Sequence, residues 1–338
     1  MNNWTRSEIY KIMSFLAFNQ TKKDKFVYLY KFFKQRRTSK LKDIICHAEK
    51  YGDIGIYEDD YGLFLVKDNK IIILPAGYNI YKDDINANFD EFFSAVFAEK
   101  MSDLEVIDYS YPNYKKIKDF NAFKILTPSY SESYKTNQQY LNYFNIDSDS
   151  VVIDLGAFSG LTSIFFDQQI TKNSSNAKGY VISLEPDATN YSCSKVNISK
   201  YNKMFHRNIR LLNKAVWSSS GFIDFSSEGT MGSSAVSVVG NRLNKMIRVE
   251  STTLSDLASS LKLQTVDYIK CDIEGGEIEI FKDSNFFDQF HPKMIIEPHL
   301  INNVICTDLV ISYLNNYHYK ITVIKQDGYL SLPLIVAE

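Results

Sequence analysis

The chain has 338 residues, 45% of them apolar and 23% charged, with a formal net charge of −2. This balance describes a globular chain long enough for two hydrophobic cores and excludes a disordered or fibrous one. The four cysteines, Cys46, Cys193, Cys271 and Cys306, are scattered without a C-x-x-C pair, which excludes the usual zinc and disulfide frameworks and points to reduced thiols and a cytoplasmic setting.

Charge is unevenly distributed at the amino-terminal end. Residues 1–42 hold eleven Lys or Arg against Glu8 and Asp24, a net +9 that leaves −11 for the rest. The run TKKDKFVYLYKFFKQRRTSK interleaves bases with Phe26, Tyr28, Tyr30, Phe32 and Phe33. Such a run suits either an anionic partner or, as the plainer reading, an amphipathic helix with its aromatics in a local core. A whole-chain charge near zero argues against a nucleic-acid role. Arg6, Glu8 and Lys11 occupy the place of a signal peptide's apolar core, and no apolar run approaches membrane-spanning length, so no membrane insertion is expected.

The stretch GIYEDDYGLFLVKDNKIIILPAGY, 55–78, predicts two or three short antiparallel strands joined at Asp60 to Gly62 and at Asp68 and Asn69. Phe89, Phe92, Phe93, Val96 and Phe97 share one helical face, which predicts a helix from Ile85 to Lys100. Pro112, Asn113, Pro128 and Ser129 mark a linker between Tyr109 and Ser133. A small α+β domain over 1–125 and a second domain over 126–338 follow from these shifts. The first domain has an expected role in substrate recognition or oligomerisation. The second begins with a helix from about Ser133 to Phe144, whose Tyr134 and Tyr140 either cover a ligand or, as the plainer reading, pack internally.

The segment VVIDLGAFSG, Val151 to Gly160, predicts a strand buried on both faces that enters a glycine turn. Its D-x-G-x-x-x-G spacing lacks the middle glycine of a dinucleotide fingerprint, which argues against a nicotinamide cofactor. A second buried strand, Tyr180 to Leu184, ends in Glu185 and Pro186 at the carboxyl edge, where an acid accepts hydrogen bonds from ribose hydroxyls in open α/β sheets. Further strands are predicted at Ile209 to Val216, Val266 to Cys271 and Lys293 to Ile296. The Ser- and Gly-rich stretch 218–241 reads as a binding loop or a surface hairpin, with Ser233 and Ser234 within reach of a ligand. The fourth strand leads into IKCDIEGGE and the fifth into IIEPH. Asp272, Glu274, Glu277, Glu297 and His299 are thereby expected at the same sheet edge as candidate general bases. Glu274 and Glu277 have a plainer role as caps to a helix dipole. Lys270, on the face of its strand that Asp272 shares, is expected to pair with an acid.

DLGAFSG, then the Glu185–Pro186 pair, then IKCDIEGGE and IIEPH, in this order and spacing, resemble the FkbM-type S-adenosylmethionine-dependent methyltransferases over about 150–338. IKCDIEGGE is the specific element. Phe158 stands where that family usually has asparagine, and Gly276 where alanine is common. The resemblance implies an α/β fold, a Rossmann-like seven-stranded methyltransferase sheet, with the small N-terminal α+β domain added to it. It implies S-adenosyl-L-methionine held by Asp154, Gly156, Ala157, Phe158, Gly160, Glu185, Pro186, Ala215, Val216 and Asp272, with Asn213 bordering the adenine. The implied reaction is O-methylation of a saccharide or secondary-metabolite hydroxyl, with Asp272, Glu274 and His299 as catalytic residues. The same acids offer oxygens to Mg²⁺ or Ca²⁺, but no metal ligand set is assigned. A small-molecule or glycan acceptor and a homo-oligomer are the expected partners. A reading of a different class keeps the sheet as a non-catalytic scaffold whose basic N-terminal domain binds an anionic partner.

Overall fold

A computed structural model describes residues 39–59, 62–74, 82–108, 117–118, 120, 137–172, 174, 176–227, 233–236, 246–301, 304–325 and 332–338. The basic run before residue 39, Tyr134 and most of the expected linker lie outside the described residues. Two compact units divide the chain, one of residues 1–93 with 98–111, the other of residues 94–97 with 112–338. The boundary expected near 125 falls outside the described residues.

In the first unit, alternating apolar residues build a six-stranded sheet in the order β1-β2-β3-β4-β6-β5. Its strands are β1 (Glu49–Tyr51), β2 (Ile54–Asp59), β3 (Gly62–Lys67), β4 (Lys70–Leu74), β5 (Glu99–Met101) and β6 (Leu104–Asp108). Phe64, Val66, Ile71, Ile73 and Val106 face Leu41 and Ile44 of the helical residues 39–47 in one apolar core. The helix expected over 85–100 is instead two short helices, α1 (Lys82–Ala87) and α2 (Phe89–Ala95), followed by β5. The hairpin at Ser102 and Asp103 explains the early end. Ser102 takes a left-handed φ of 62° there, and Glu99 to Met101 pair antiparallel with β6.

In the second unit the long apolar runs become a seven-stranded sheet in the order β18-β19-β15-β14-β7-β8-β9. These are β7 (Val151–Leu155), β8 (Tyr180–Leu184), β9 (Arg210–Leu212), β14 (Tyr268–Cys271), β15 (Lys293–Ile296), β18 (Ile321–Ile324) and β19 (Leu334–Ala337). β9, β8, β7, β14 and β15 run parallel, while β19 is antiparallel to both its neighbours. Strand order reverses beside β7, so the carboxyl ends of β7 and β14 open a crevice between them.

Helices cover both faces, as the doubly buried strands require. They are α3 (Leu161–Thr171), α4 (Ala188–Phe205), α5 (Leu254–Leu261), α6 (Glu277–Ile280), α7 (Ser284–Phe290) and α8 (Thr307–Asn316). Ile153, Leu155, Ile182 and Ile269 face a core with Leu257, Phe281, Phe287 and Leu314. The opposite face carries a polar row, because Lys270 pairs in register with Asp154, and Asp154 with Ser183. The third predicted strand breaks after Leu212. Asn213 turns there to donate its side-chain amide to the carbonyls of Glu185 (2.8 Å) and Pro186 (3.2 Å).

Ala215–Val216 then forms β10 of a separate four-stranded sheet, ordered β10-β13-β11-β12, with β11 (Gly221–Ser226), β12 (Ser234–Ala235) and β13 (Met246–Thr252). Within the described part of the Ser- and Gly-rich stretch, Gly221–Ser226 and Ser234–Ala235 are therefore strands of this sheet. Ser227 and Ser233 donate to Oδ2 of Asp187, the N-cap of α4. β16 (Leu300–Ile301) and β17 (Val304–Ile305) form a small hairpin after β15. The helix expected from Ser133 is described only as a 3-10 turn, Gln138–Leu141. Tyr140 is buried against Phe166, the plainer of its two readings. Among the described residues no helix is long and apolar enough to cross a membrane.

Candidate active site

The turn after β7 is shaped by what crosses it. Gly156 has φ +81°, and a Cβ there would lie 1.9 Å from the carbonyl oxygen of Asp272, so only glycine lets the turn pass over the end of β14. Gly156 and Ala157 donate their amides to Leu184 O at 3.1 and 3.0 Å, and Phe158 donates its amide to Oε2 of Glu185 at 2.8 Å. Gly160, at φ +79°, starts α3 where a Cβ would press on Ile198 at 2.9 Å.

Glu185 is buried, with Oε1 accepting from the Asp187 amide at 2.9 Å. Burial pushes its carboxyl up to about 8, although the Asp187 and Phe158 amides favour the charged form. Each carboxylate oxygen retains a second lone pair for a further donor. Beside it lies a pocket of about 360 Å³, counted to its open mouth, whose lining includes Gly156, Pro186, Ala215, Val216, Trp217 and Phe225. The first four stand out in the sequence. Trp217 and Phe225 do not, because their sheet pairs β10 with β13, 30 or more residues away in sequence.

Asp154, expected at the cofactor, is fully buried. Its Oδ2 accepts from Ser163 Oγ at 2.6 Å, Ser163 Oγ in turn accepts from Ser183 Oγ at 2.7 Å, and Oδ1 lies 3.5 Å from Lys270 Nζ. Lys270 bonds the carbonyls of Leu155 and Gly156 at 3.3 and 3.0 Å and stands 3.3 Å from Asp272 Oδ2. Burial opposes its charge, but Asp272 and Asp154 outweigh that and hold it well above the usual lysine range. The expected ion pair is thus a bridge between two acids that also pins the glycine turn.

At the end of β14 the remaining candidates converge. His299 Nε2 lies 3.6 Å from Asp272 Oδ1 and 3.7 Å from Glu274 Oε1, and its Nδ1 is 2.8 Å from Glu277 Oε1. Glu277 has no side-chain exposure and also accepts from the amides of Ile273 (3.3 Å) and Gly275 (3.1 Å). It thus braces the loop before α6 and orients the imidazole, where the sequence predicts a cap to a helix amino terminus. Burial works against charge on His299, but the bond to Glu277 and the nearby Glu274 and Asp272 raise it to about 10. Burial pushes Glu274 and Glu297 up to about 7. Asp272 is also disfavoured by burial, yet Lys270 and His299 bring it below the usual aspartate value. The end of β14 thus places an ionised Asp272 beside carboxyls poised near neutral pH, the pattern of groups able to take up a proton.

A Rossmann-like sheet with a reversed last strand, a glycine turn and an acid at the end of the second strand make a sheet edge of the kind that holds nucleotide-like ligands. Residues 154–321, about half of the chain, match the Methyltransferase FkbM domain, and this part of the chain carries that domain. Among solved structures it is similar to Methyltransferase FkbM from Methylobacillus flagellatus KT, at 14% identity over 76% of this chain and 60% of that chain, with a TM-score of 0.44. This chain therefore spans three-fifths of that protein's length. It is also similar to Aeropyrum pernix fibrillarin in complex with natively bound S-adenosyl-L-methionine, at 11% identity over 85% and 100% of the two chains (TM-score 0.38). A third is the O-methyltransferase from Bacillus cereus in complex with SAH, at 12% identity over 56% and 75% (TM-score 0.33). No curated protein matches the chain.

Proposed function

We propose that this protein is an S-adenosylmethionine-dependent O-methyltransferase acting on a hydroxyl of a saccharide or secondary metabolite. The observation that carries the cofactor reading is Glu185. It is a buried acid at the carboxyl end of β8, held between two backbone amides and next to an apolar slot bounded by Ala215, Val216 and Trp217. A diol donating to Glu185 and a purine in the slot fit these residues, and the Gly156 turn gives the backbone proximity that a bulky ligand needs. Bound there, the cofactor supplies a sulfonium methyl that passes to the acceptor oxygen while the carbon–sulfur electron pair stays on sulfur. Gly156, Ala157, Phe158, Glu185 and Pro186 hold it, with Ala215 and Val216 against its base and Asp154 bracing the turn through Lys270. Asp272, Glu274 and His299 face the acceptor and orient its hydroxyl, and Glu274, raised to about 7, is the group that takes up its proton, a contribution of about 10²–10⁴-fold for a well-placed base.

The test is isothermal titration calorimetry of the full chain with S-adenosylmethionine and S-adenosylhomocysteine, with NAD as control. Micromolar binding that Glu185→Ala abolishes, and no NAD binding, is the expected result. Binding of NAD, or cofactor affinity untouched in Glu185→Ala, would overturn it. A panel of sugar and secondary-metabolite alcohols, read by S-adenosylhomocysteine release, then checks the acceptor class.

A further inference from the structure

The groups at the end of β14 are unbalanced in kind as well as in charge. Asp272, Glu277 and Glu297 influence one another electrostatically and Glu274 lies beside His299, while Lys270 already bridges Asp154 and Asp272. One ligand atom each from Asp272, Glu274 and His299 lies within 4.8 Å of the others, and all three residues are half-buried. The 3.6 and 3.7 Å separations of His299 Nε2 from the two carboxylates exceed ordinary hydrogen-bond length. Ligand atoms roughly 2.1 Å from one ion stand about 3.0–3.4 Å apart, so side-chain movements of up to about 1.5 Å would close the set.

The fourth residue sets this apart from a solvated acidic patch. Glu277 is not among the three converging atoms. It has no exposure, and its Oε1 is committed to His299 Nδ1 and to two backbone amides. An Nδ1–H held by a buried carboxylate leaves Nε2 as the nitrogen that an ion would meet on displacing its proton, the arrangement in which imidazoles commonly bind metals. Side-chain exposures of 30%, 30% and 12% for Asp272, Glu274 and His299 leave one side open for a further ligand.

We infer that Asp272, Glu274 and His299 form a binding site for one divalent transition ion of the manganese or zinc type, with Glu277 as the residue that orients His299. Two carboxylates with one imidazole suit Mn²⁺ or Zn²⁺ better than Ca²⁺, which takes oxygen ligands alone. The ion site stands on this geometry by itself. Its use in making an acceptor hydroxyl more acidic rests on the function proposed above.

The experiment uses the full chain, stripped with chelator and titrated calorimetrically with MnCl₂, ZnCl₂ and CaCl₂. The same preparations of wild type, Glu274→Gln and His299→Gln are titrated with S-adenosylmethionine. One Mn²⁺ or Zn²⁺ per chain, bound at least tenfold more tightly than Ca²⁺ and weakened at least tenfold by each substitution, is the expected result. Absence of saturable binding, Ca²⁺ binding as tight as Mn²⁺, or variants within threefold of wild type would overturn the site. Pulsed electron paramagnetic resonance of Mn²⁺ on wild type gives a reading free of folding effects: ¹⁴N coupling supports His299 ligation, and its absence refutes it. Cofactor binding without metal binding sinks this site and leaves the methyltransferase reading standing, and the reverse result does the opposite.

Discussion

Replacing Gly156 by alanine probes the junction on which the whole site depends. The new Cβ would sit 1.9 Å from the Asp272 carbonyl oxygen, an atom of the backbone that cannot rotate away. Holding alanine at φ +81° costs about 1–2 kcal/mol on its own. Moving the turn by more than an ångström adds about 1–3 kcal/mol of packing strain. It also disturbs the Phe158 amide bond to Glu185 and the Lys270 bond to Gly156 O. The sum is roughly 2–5 kcal/mol, which at about 2–4 °C per kcal/mol lowers the melting temperature by roughly 4–20 °C. Gly221→Ala is the internal control, since φ there is +143° with nothing within 4 Å of an added Cβ, so only backbone strain of about 1 kcal/mol is expected. Differential scanning fluorimetry and cofactor titration of both variants decide the matter. A Gly156→Ala protein that melts no lower than Gly221→Ala and binds cofactor normally would refute the crossing of turn and strand described here.

Other perturbations have definite outcomes. Arg207 forks onto Asp167 at 2.9–3.2 Å, and Asp167 has no exposure, so Arg207→Ala strands a buried carboxylate. A loss of about 3–5 kcal/mol is expected in urea unfolding, and a loss under 1 kcal/mol would contradict it. Glu185 has a folded value of about 8 against 4.5 in the open chain, so the folded state keeps a proton that the unfolded state releases. Its contribution to stability is therefore complete below pH 4.5 and shrinks by up to about 1.4 kcal/mol per pH unit as pH rises towards 8. Subtracting the pH–stability curve of Glu185→Gln from that of wild type isolates this slope, and a flat difference would disprove it. Of the four cysteines only Cys46 is exposed, and burial raises the thiols of Cys271 and Cys306. A disulfide reagent should titrate one thiol per native chain and four after denaturation.

Much of the second unit was legible because its strands are unbroken apolar runs with sharp ends. Val151 to Leu155, Tyr180 to Leu184 and Lys293 to Ile296 fall where their composition places them. The split at Asn213 was not legible, since RLLNKAV carries a continuous strand pattern and the break comes from a side-chain amide reaching back to Glu185 and Pro186. The end of α2 was hidden for a related reason. The phenylalanine spacing continues to Phe97, while the pairing of β5 with β6 takes the chain away from the helix. Residue identities placed Asp272, Glu274 and His299 on one edge, yet the dependence of His299 on Glu277, 22 positions earlier, is a fact of the folded geometry alone.

The polar row under the central strands has a bearing on how the chain avoids misfolding. β7 is apolar on both sides except at Asp154, so hydrophobicity alone would tolerate a slip of one residue against β8. Such a slip turns Asp154 towards the face that holds Leu257 and Phe281 and parts it from Ser163 and Lys270. The carboxylate would then be stranded without a counter-charge in hydrocarbon, at several kcal/mol, and Lys270 would keep Asp272 alone. The Ser183, Ser163, Asp154 and Lys270 chain thus acts as a key that admits one alignment of the sheet, and the strand ends meet at the crevice only in that alignment.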